Sequence, residues 1–352
     1  MTNHTYTEIK RQPMTWQKTI DTVLEQRDKL RQFFQDHRPD EVIFTGCGTS
    51  YYISIAAAMT FTEQTGIAAK AAPASEVFLK PDAVFAKNRR TVIVGSSRSG
   101  NTSEVVRALR FAAGHQLAQG LSVTANPDSD MAKQTPHSVV LPHVQEKSVV
   151  MTSSFTNLLL ASQLIASIVA DDEDYLAELQ QLPQLGEQTM PQAEALAQKL
   201  GREDSYDHYI YLGLGAAFGL ACEAMLKMKE MTQLFAEAFN PLEFRHGPIS
   251  VLNERCRAFV LSNRTMSDLE RDVVSDVRKY GANVVAIGDA VSDFSADEVF
   301  DLASGLTDPS RSVLYLPLLQ LTAYYRTEQM GLNPDRPRNL NQVVVLKDEG
   351  GN

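Results

Sequence analysis

Thr91–Glu104, TVIVGSSRSGNTSE, restricts what this chain can fold into more than any other stretch. Thr91–Gly95 is a short β-branched run of the kind that forms a buried strand. It opens at once into Ser96, Ser97, Arg98, Ser99, Gly100, Asn101 and Thr102, and the following SEVVRALRFAA places Val105, Leu109 and Ala112 on one helical face. A strand, a hydroxyl-rich loop and a helix N-terminus, in that order, make an anion site. Backbone N–H groups and the positive end of the helix dipole converge on the loop, and the hydroxyls add donors. Arg98 is expected to add a fixed positive charge. Ser, Asn and Thr are also ordinary N-cap residues. Four hydroxyls, an Arg and a Gly within seven residues exceed what a cap requires, so the loop reads as a phosphate site.

The surrounding chain alternates strand and helix. Residues 14–37 carry Trp16, Ile20, Val23, Leu24, Leu30 and Phe33 at helical spacing, which predicts an amphipathic lead-in helix ended by Pro39. Glu41–Thr45 is a strand followed by the turn GCGTS and a helical run; Ala68–Ala72, Gly120–Thr124 and Ser138–Leu141 continue the series around the strand at 91–95. After Glu146 the pattern is helical to about residue 200, with PQLGEQTMPQ (183–192) as the link. Then the order restarts: HYIYL, a GLGAAFG turn, a helix, RAFVL, SNRTMSD where SSRSGNT stood, a helix and NVVAIG. Alternation of this kind predicts an α/β fold of two tandem doubly wound parallel-sheet subdomains. The expected division is a helical segment over 1–40, subdomains over 41–182 and 205–335, a link over 183–204 and a tail over 336–352. The second loop has lost the glycine and most hydroxyls of the first, so one anion site per chain is expected.

Composition removes several function classes. With 33 basic against 43 acidic residues the net charge is −10, and no basic run offers a nucleic-acid surface. Cys47, Cys222 and Cys256 are too few and too scattered for a disulfide framework or a zinc cluster. MTNHTYTEIKRQ contains no apolar signal core, and LLLASQLIASIVA (158–170) is shorter than a membrane span and interrupted by Ser and Gln. These features lead us to expect a cytoplasmic protein with neither a membrane nor a nucleic-acid partner.

Two further stretches carry chemistry. Glu223, Lys227 and Glu230 follow at i, i+4 and i+7 along one stripe of a helix. A solvated charged face is the ordinary explanation, but the neighbours Ala221, Cys222, Ala224, Met225, Leu226 and Met228 are apolar or small, which argues for burial. Glu230 then becomes a candidate base, restrained by Lys227. Behind it, Glu243-Phe-Arg-His-Gly-Pro248 presents His246 on a loop as a candidate acid/base. The turn Gly46–Ser50 has neither the third glycine of a dinucleotide fingerprint nor the Lys-Ser/Thr pair of a Walker loop. It and Gly213–Gly219 are taken as close helix–strand packing, with Thr49 and Ser50 offering hydroxyls beside the phosphate loop. No cofactor and no metal are expected, since no His/Asp/Glu cluster has ligand spacing.

TGCGTS (45–50), SSRSGNTSE (96–104), VVMTSSFTN (149–157), LACEAMLKMKE (220–230) and EFRHGP (243–248) together resemble the sugar isomerase (SIS) domain family over nearly the whole chain. The resemblance implies flavodoxin-like subdomains with helical N-terminal and linking segments. The last two motifs are similar to the isomerase domain of glucosamine-6-phosphate synthase. That likeness implies a sugar-6-phosphate held at its phosphate by Ser50, Ser97, Arg98, Ser99 and Thr102, with Thr49, Val149, Thr152 and Ser153 around it. It implies proton transfer between C1 and C2 by Glu230, ring opening by His246, and a pocket completed by Glu223 and Lys227. It also implies a homodimer in which His246 serves the neighbouring subunit's site. The opening EIKRQPMTW, the RSGN loop and VVMTSS are more similar to the tagatose-6-phosphate ketose/aldose isomerase branch, whose members are often described as amino-sugar-phosphate deaminases/isomerases.

Two departures shape the expected activity. The sequence as it stands carries no glutaminase domain and no N-terminal cysteine, so glutamine is not expected to donate nitrogen. The tail PRNLNQVVV puts Gln342 where the synthase pattern has a lysine, which removes a Schiff-base group at that position, although Lys347 follows closely. The expectation is a phosphosugar aldose–ketose isomerase that also releases an amine. A fructosamine-6-phosphate deglycase and a non-catalytic sugar-phosphate-binding regulator remain the alternatives.

Overall fold

The computed structural model describes residues 3–342 and residue 346. Strands β1 (Glu41–Gly46), β2 (Ala68–Pro73), β3 (Thr91–Ser97), β4 (Gln119–Thr124) and β5 (His137–Val140) form a five-stranded sheet in the order β2-β1-β3-β4-β5. Strands β6 (His208–Gly213), β7 (Phe235–Phe239), β8 (Cys256–Leu261), β9 (Asn283–Gly288) and β10 (Glu298–Asp301) repeat that topology as β7-β6-β8-β9-β10. Every pairing is parallel. β1, β3 and β8 are buried along their whole lengths because helices cover both faces of each sheet, so they read in the sequence as unbroken apolar runs. The chain is thus two tandem doubly wound α/β subdomains.

One continuous core joins the inner faces of the two sheets, from Phe44 and Val94 on one side to Tyr211 and Phe259 on the other. Smaller cores back the outer faces, around Ile43 and Ile93 in the first subdomain and Ile210 and Val260 in the second. Between the sheets runs the helix Ser153–Ala170, the one described helix long and apolar enough to cross a membrane by length and composition; 89% of it is buried inside the protein. The linking segment is helical, Leu182–Arg202, with Pro191 inside it. The lead-in expected as one helix is two, Gln12–Leu24 and Arg27–His37, behind a short helix His4–Lys10. The break lets each half lay its own apolar face on Ser153–Ala170.

The strand order places the topological switch between β1 and β3, where the crossovers leave on opposite sides and open a crevice at the strands' carboxyl ends. GCGTS follows β1 and SSRSGNT follows β3, so both motifs border that crevice. The equivalent glycines Gly48 (φ 53°) and Gly215 (φ 60°) take the same left-handed turn, which a side chain would strain. Next in the chain come the helices Thr49–Thr65 and Ala216–Thr232, which pack against each other across the subdomains. They cross closely at Gly219, where an added Cβ would stand 2.7 Å from the backbone nitrogen of Ala56 and the backbone oxygen of Tyr52. Gly219→Ala is therefore expected to cost about 1–3 kcal/mol through overpacking against backbone. A urea titration checks it: the midpoint should fall with the slope unchanged.

Candidate active site

The hydroxyl-rich loop leaves β3 at Ser97 and enters the helix Ser103–Gly114 behind Thr102. Thr102 holds the N-cap position, yet its hydroxyl makes no bond to the helix's own N–H groups. It lies 3.0 Å from Ser97 Oγ instead. Ser97 Oγ also accepts from Gly100 N at 3.1 Å, and Ser99 Oγ from Asn101 N at 3.2 Å. The hydroxyls are thereby oriented around the loop while the first turn of the helix keeps its N–H groups for a ligand. They wall a cavity of about 200 Å³ together with Thr49, Ser50, Arg98, Val149 and Glu230. A larger groove of about 830 Å³ lies at the opposite, amino-terminal end of the strands. Three of its arginines, Arg27, Arg31 and Arg90, are paired with Glu173, Asp171 and Asp40 respectively, and it holds none of the chemistry-bearing motifs.

Arg98 borders the cavity, but its guanidinium is already engaged. Nη1 donates to Glu146 Oε2 at 3.0 Å and to the carbonyls of Ser148 and Val150 at 3.3 and 3.2 Å, and Nη2 donates to the carbonyl of Val149 at 2.8 Å. Glu146 is buried and also accepts from Thr152 N, Thr152 Oγ1, Ser154 N and Ser154 Oγ. Burial alone would raise its carboxyl, but Arg98 and these donors outweigh burial and hold it below its ordinary value. The positive charge expected over the loop is thus met within the protein. Arg98 ties the phosphate loop to the 148–150 backbone, which sets the wall at Val149 and Met151. Thr152 and Ser153 do not line the cavity: Thr152 bonds Glu146, and Ser153 Oγ faces Thr15 Oγ1 and Asn157.

The helix Ala216–Thr232 supplies the ionisable stripe. Lys227 is fully buried, with its Nζ 2.5 Å from Glu230 Oε2, 3.4 Å from Glu223 and 3.2 Å from Thr49 Oγ1. Burial opposes the ammonium, but the two carboxylates prevail and raise its pKa. Glu223 is fully buried too, and neither of its oxygens has a hydrogen bond of good geometry. Burial pushes its carboxyl up to about 8, against the pull of Lys227. Of the three only Glu230 reaches the cavity, with 18% of its side chain exposed. Glu223 and Lys227 stand behind it.

His246 is exposed on the turn after the short helix Pro241–Phe244, and it does not border this chain's cavity. Gln342 crosses the cavity mouth, donating to the carbonyls of Glu146 and Ser148 at 3.3 Å each; Lys347 lies outside the described residues. Among the described residues no group of His, Cys, Asp and Glu has the arrangement of a metal site. Cys47, Gly48, Glu104, Met151, Leu340 and Asn341 also form the wall and were not singled out from the sequence. All six fall inside quoted stretches, where nothing in residue type separates a lining side chain from a packed one.

Comparison with known proteins gives these features a context. The SIS domain pattern matches residues 37–168 and again 205–324. A glutamine–fructose-6-phosphate aminotransferase (isomerizing) of Sulfurisphaera tokodaii is 28% identical over 346 residues, 97% of this chain but 56% of that protein. The chain therefore spans about half the length of the curated relatives it matches. A Clostridium novyi structure assigned as a tagatose-6-phosphate ketose/aldose isomerase superposes with a TM-score of 0.88 at 26% identity, covering 98% of this chain and 95% of that one. A glucosamine-6-phosphate deaminase of Thermotoga maritima superposes at 0.75 with 27% identity, covering 94% of this chain and 100% of that one. With the pattern matching once in each subdomain, this chain belongs to the SIS domain family.

Proposed function

We propose that the protein is a cytoplasmic phosphosugar aldose–ketose isomerase that also releases an amine from an amino-sugar 6-phosphate. The observation that carries this reading is that Glu230, held by a buried lysine, shares one small cavity with the hydroxyl-rich loop Ser97–Thr102. The phosphate binds to Ser97, Ser99, Thr102 and Ser50 and to the helix N-terminus, and that remote binding energy positions C1 and C2 against Glu230. His246 assists ring opening. Glu230 takes the proton from C2 of the open-chain aldosamine and returns it to C1 through an enolamine. The product is an imine at C2; water adds there and ammonia leaves, giving the ketose. Where C2 carries a hydroxyl, the same proton transfer passes through an enediol and no amine departs. Lys227 keeps the Glu230 carboxylate in place; Glu223 contacts that cation from behind.

The exposed His246 supports a homodimeric site. The loop that carries it is anchored at Asn240, whose side chain caps the Pro241–Phe244 helix, and at Arg245, which pairs with Asp276 at 2.7 Å. His246 is exposed there and outside its own cavity's lining, which leaves it free to serve the partner subunit. Deglycation of a fructosamine phosphate uses the same groups, and no separate feature of the site favours it.

Three outcomes follow. Ser99→Ala should raise KM several-fold with a smaller loss of kcat, because a phosphate contact is mostly uniform binding; turnover of the unphosphorylated sugar with equal KM by the parent enzyme would sink the phosphate assignment. Glu230→Gln should bind substrate yet lose solvent deuterium incorporation at C1 and C2 by at least about a hundredfold; exchange at the parent rate would reduce Glu230 to a structural group. Finally, inactive Glu230→Gln and His246→Asn dimers, unfolded and refolded together, should recover roughly a quarter of parental activity, since random mixing makes half the dimers mixed and each holds one intact site. No recovery from properly refolded mixed dimers would show that each subunit works alone.

A further inference from the structure

Glu104 is an acid in the cavity wall to which the reaction above assigns no part. It lies in the first turn of the helix Ser103–Gly114, where an acid is usually explained by the helix dipole. That explanation calls for a solvated carboxylate on the outer face. Here Oε2 is buried without a hydrogen-bond partner, and the side chain forms the wall beside Cys47 and Gly48. The two groups are near enough that the Glu104 charge adds to burial in pushing the Cys47 thiol up to about 12.

The cations nearby are committed elsewhere. The Arg98 guanidinium is bonded to Glu146 and three carbonyls, and the Lys227 ammonium to Glu230 and Thr49. Glu104 takes part in no ion pair among the described residues, as the orphaned Oε2 reflects. A half-buried carboxylate without a partner is costly, and beside a phosphate loop it also repels the ligand that the loop is built to hold. The cavity wall therefore carries two carboxylates, Glu104 and Glu230, and an arginine already neutralised by Glu146. A positive charge supplied by the ligand itself would balance it.

We propose that Glu104 receives the ammonium group of an amino-sugar phosphate and makes the cavity prefer the amino sugar over the corresponding hydroxy sugar. This assignment rests on the phosphosugar reading above. An ammonium brings a full charge and three donors to the Glu104 carboxylate in the wall; a hydroxyl brings one donor and no charge. A site built around a buried polar group discriminates against the analogue that leaves it unsatisfied.

Two unreactive open-chain probes test the assignment by titration calorimetry: 2-amino-2-deoxyglucitol 6-phosphate and glucitol 6-phosphate. The parent protein should bind the amino probe at least about tenfold more tightly. Glu104→Gln should abolish that difference while binding glucitol 6-phosphate at least as well as the parent does. Glu104→Asp, which keeps the charge one methylene shorter, should retain part of the preference and serves if the Gln variant does not fold. A parent that binds both probes equally, or a Glu104→Gln variant that keeps the preference, overturns the role of Glu104 and leaves the phosphosugar reading intact. If the parent binds neither probe, the phosphosugar reading falls and this assignment falls with it.

Discussion

Lys227 holds an ammonium where no part of its side chain meets solvent. Removing a cation from water costs several kcal/mol before any pairing is counted. The structure compensates with carboxylates on two sides, Glu230 at 2.5 Å and Glu223 at 3.4 Å, and with the Thr49 hydroxyl at 3.2 Å. The third contact matters most for the architecture. Thr49 begins the helix that follows β1 in the first subdomain, whereas Lys227 and both acids belong to the second. One buried cation thus fastens the phosphate side of the cavity to the candidate base. Gly219, two turns earlier on the same helix, permits the close crossing that brings Lys227 within reach of Thr49. A larger residue there would separate the two halves of the site before it changed any functional group.

The remaining wall is held in the same way, by buried carboxylates that bind backbone. Glu146 gathers Arg98, Thr152 and Ser154, and Glu8 accepts from Lys147 N at 2.6 Å and from the Ser148 hydroxyl. Asp335 caps the first helix through His4 N and Thr5 N, at 3.0 and 2.8 Å, while its own carbonyl accepts from Val149 N at 3.0 Å. The helix His4–Lys10 is two turns long and would not persist alone. It persists because it is bonded to the loop that forms the cavity wall and to the approach of the tail. The segment before the first strand is therefore support for the site as well as a lead-in.

What was legible in the sequence follows from the burial of each part. β1, β3, β6, β8 and β9 are covered on both faces, so their apolar runs announce parallel strands, and the loops at their carboxyl ends show their hydroxyls and glycines directly. β7 (FAEAF) and β10 (EVFD) are short edge strands with acidic residues, recruited by the register of β6 and β9, and no pattern of their own marks them. The charges in the site were harder to read. Arg98 sits in the phosphate motif, and only the fold reveals that Glu146, remote in sequence, reaches it first. Glu104 resembles a helix-dipole acid until the cavity is seen. The stripe Glu223, Lys227 and Glu230 was legible because its neighbours are small and apolar, which is the condition for the burial observed.

The repeat also shows why the second switch point offers no open hydroxyl-rich loop like that of the first. After β8 the chain turns through Ser262 and Asn263, which by strand register stand where Ser97 and Arg98 stand in the first subdomain, and enters the helix Ser267–Lys279. There Glu270 folds back: its carboxyl accepts from Ser262 Oγ at 2.6 Å and from Asn263 N at 3.0 Å. Arg311, fully buried, donates to the Ser262 carbonyl at 3.2 Å, and Tyr315 donates to the same oxygen at 2.8 Å. The donors that an anion would use are thus occupied by a side chain of the same element. Burial pushes the Glu270 carboxyl up to about 7, the cost of keeping an acid where a ligand would otherwise be solvated on one side. Glu270 is the fourth residue of its helix, whereas Glu104 is the second residue of the helix that follows the first loop. In the second subdomain Glu270 closes the loop on itself; in the first the helix's own first-turn acid, Glu104, stays in the wall with one oxygen unsatisfied. The second crevice is filled because Glu270, one turn into its helix, reaches back to the loop, whereas Glu104 sits too near the start of its own helix to do the same and stays in the cavity wall.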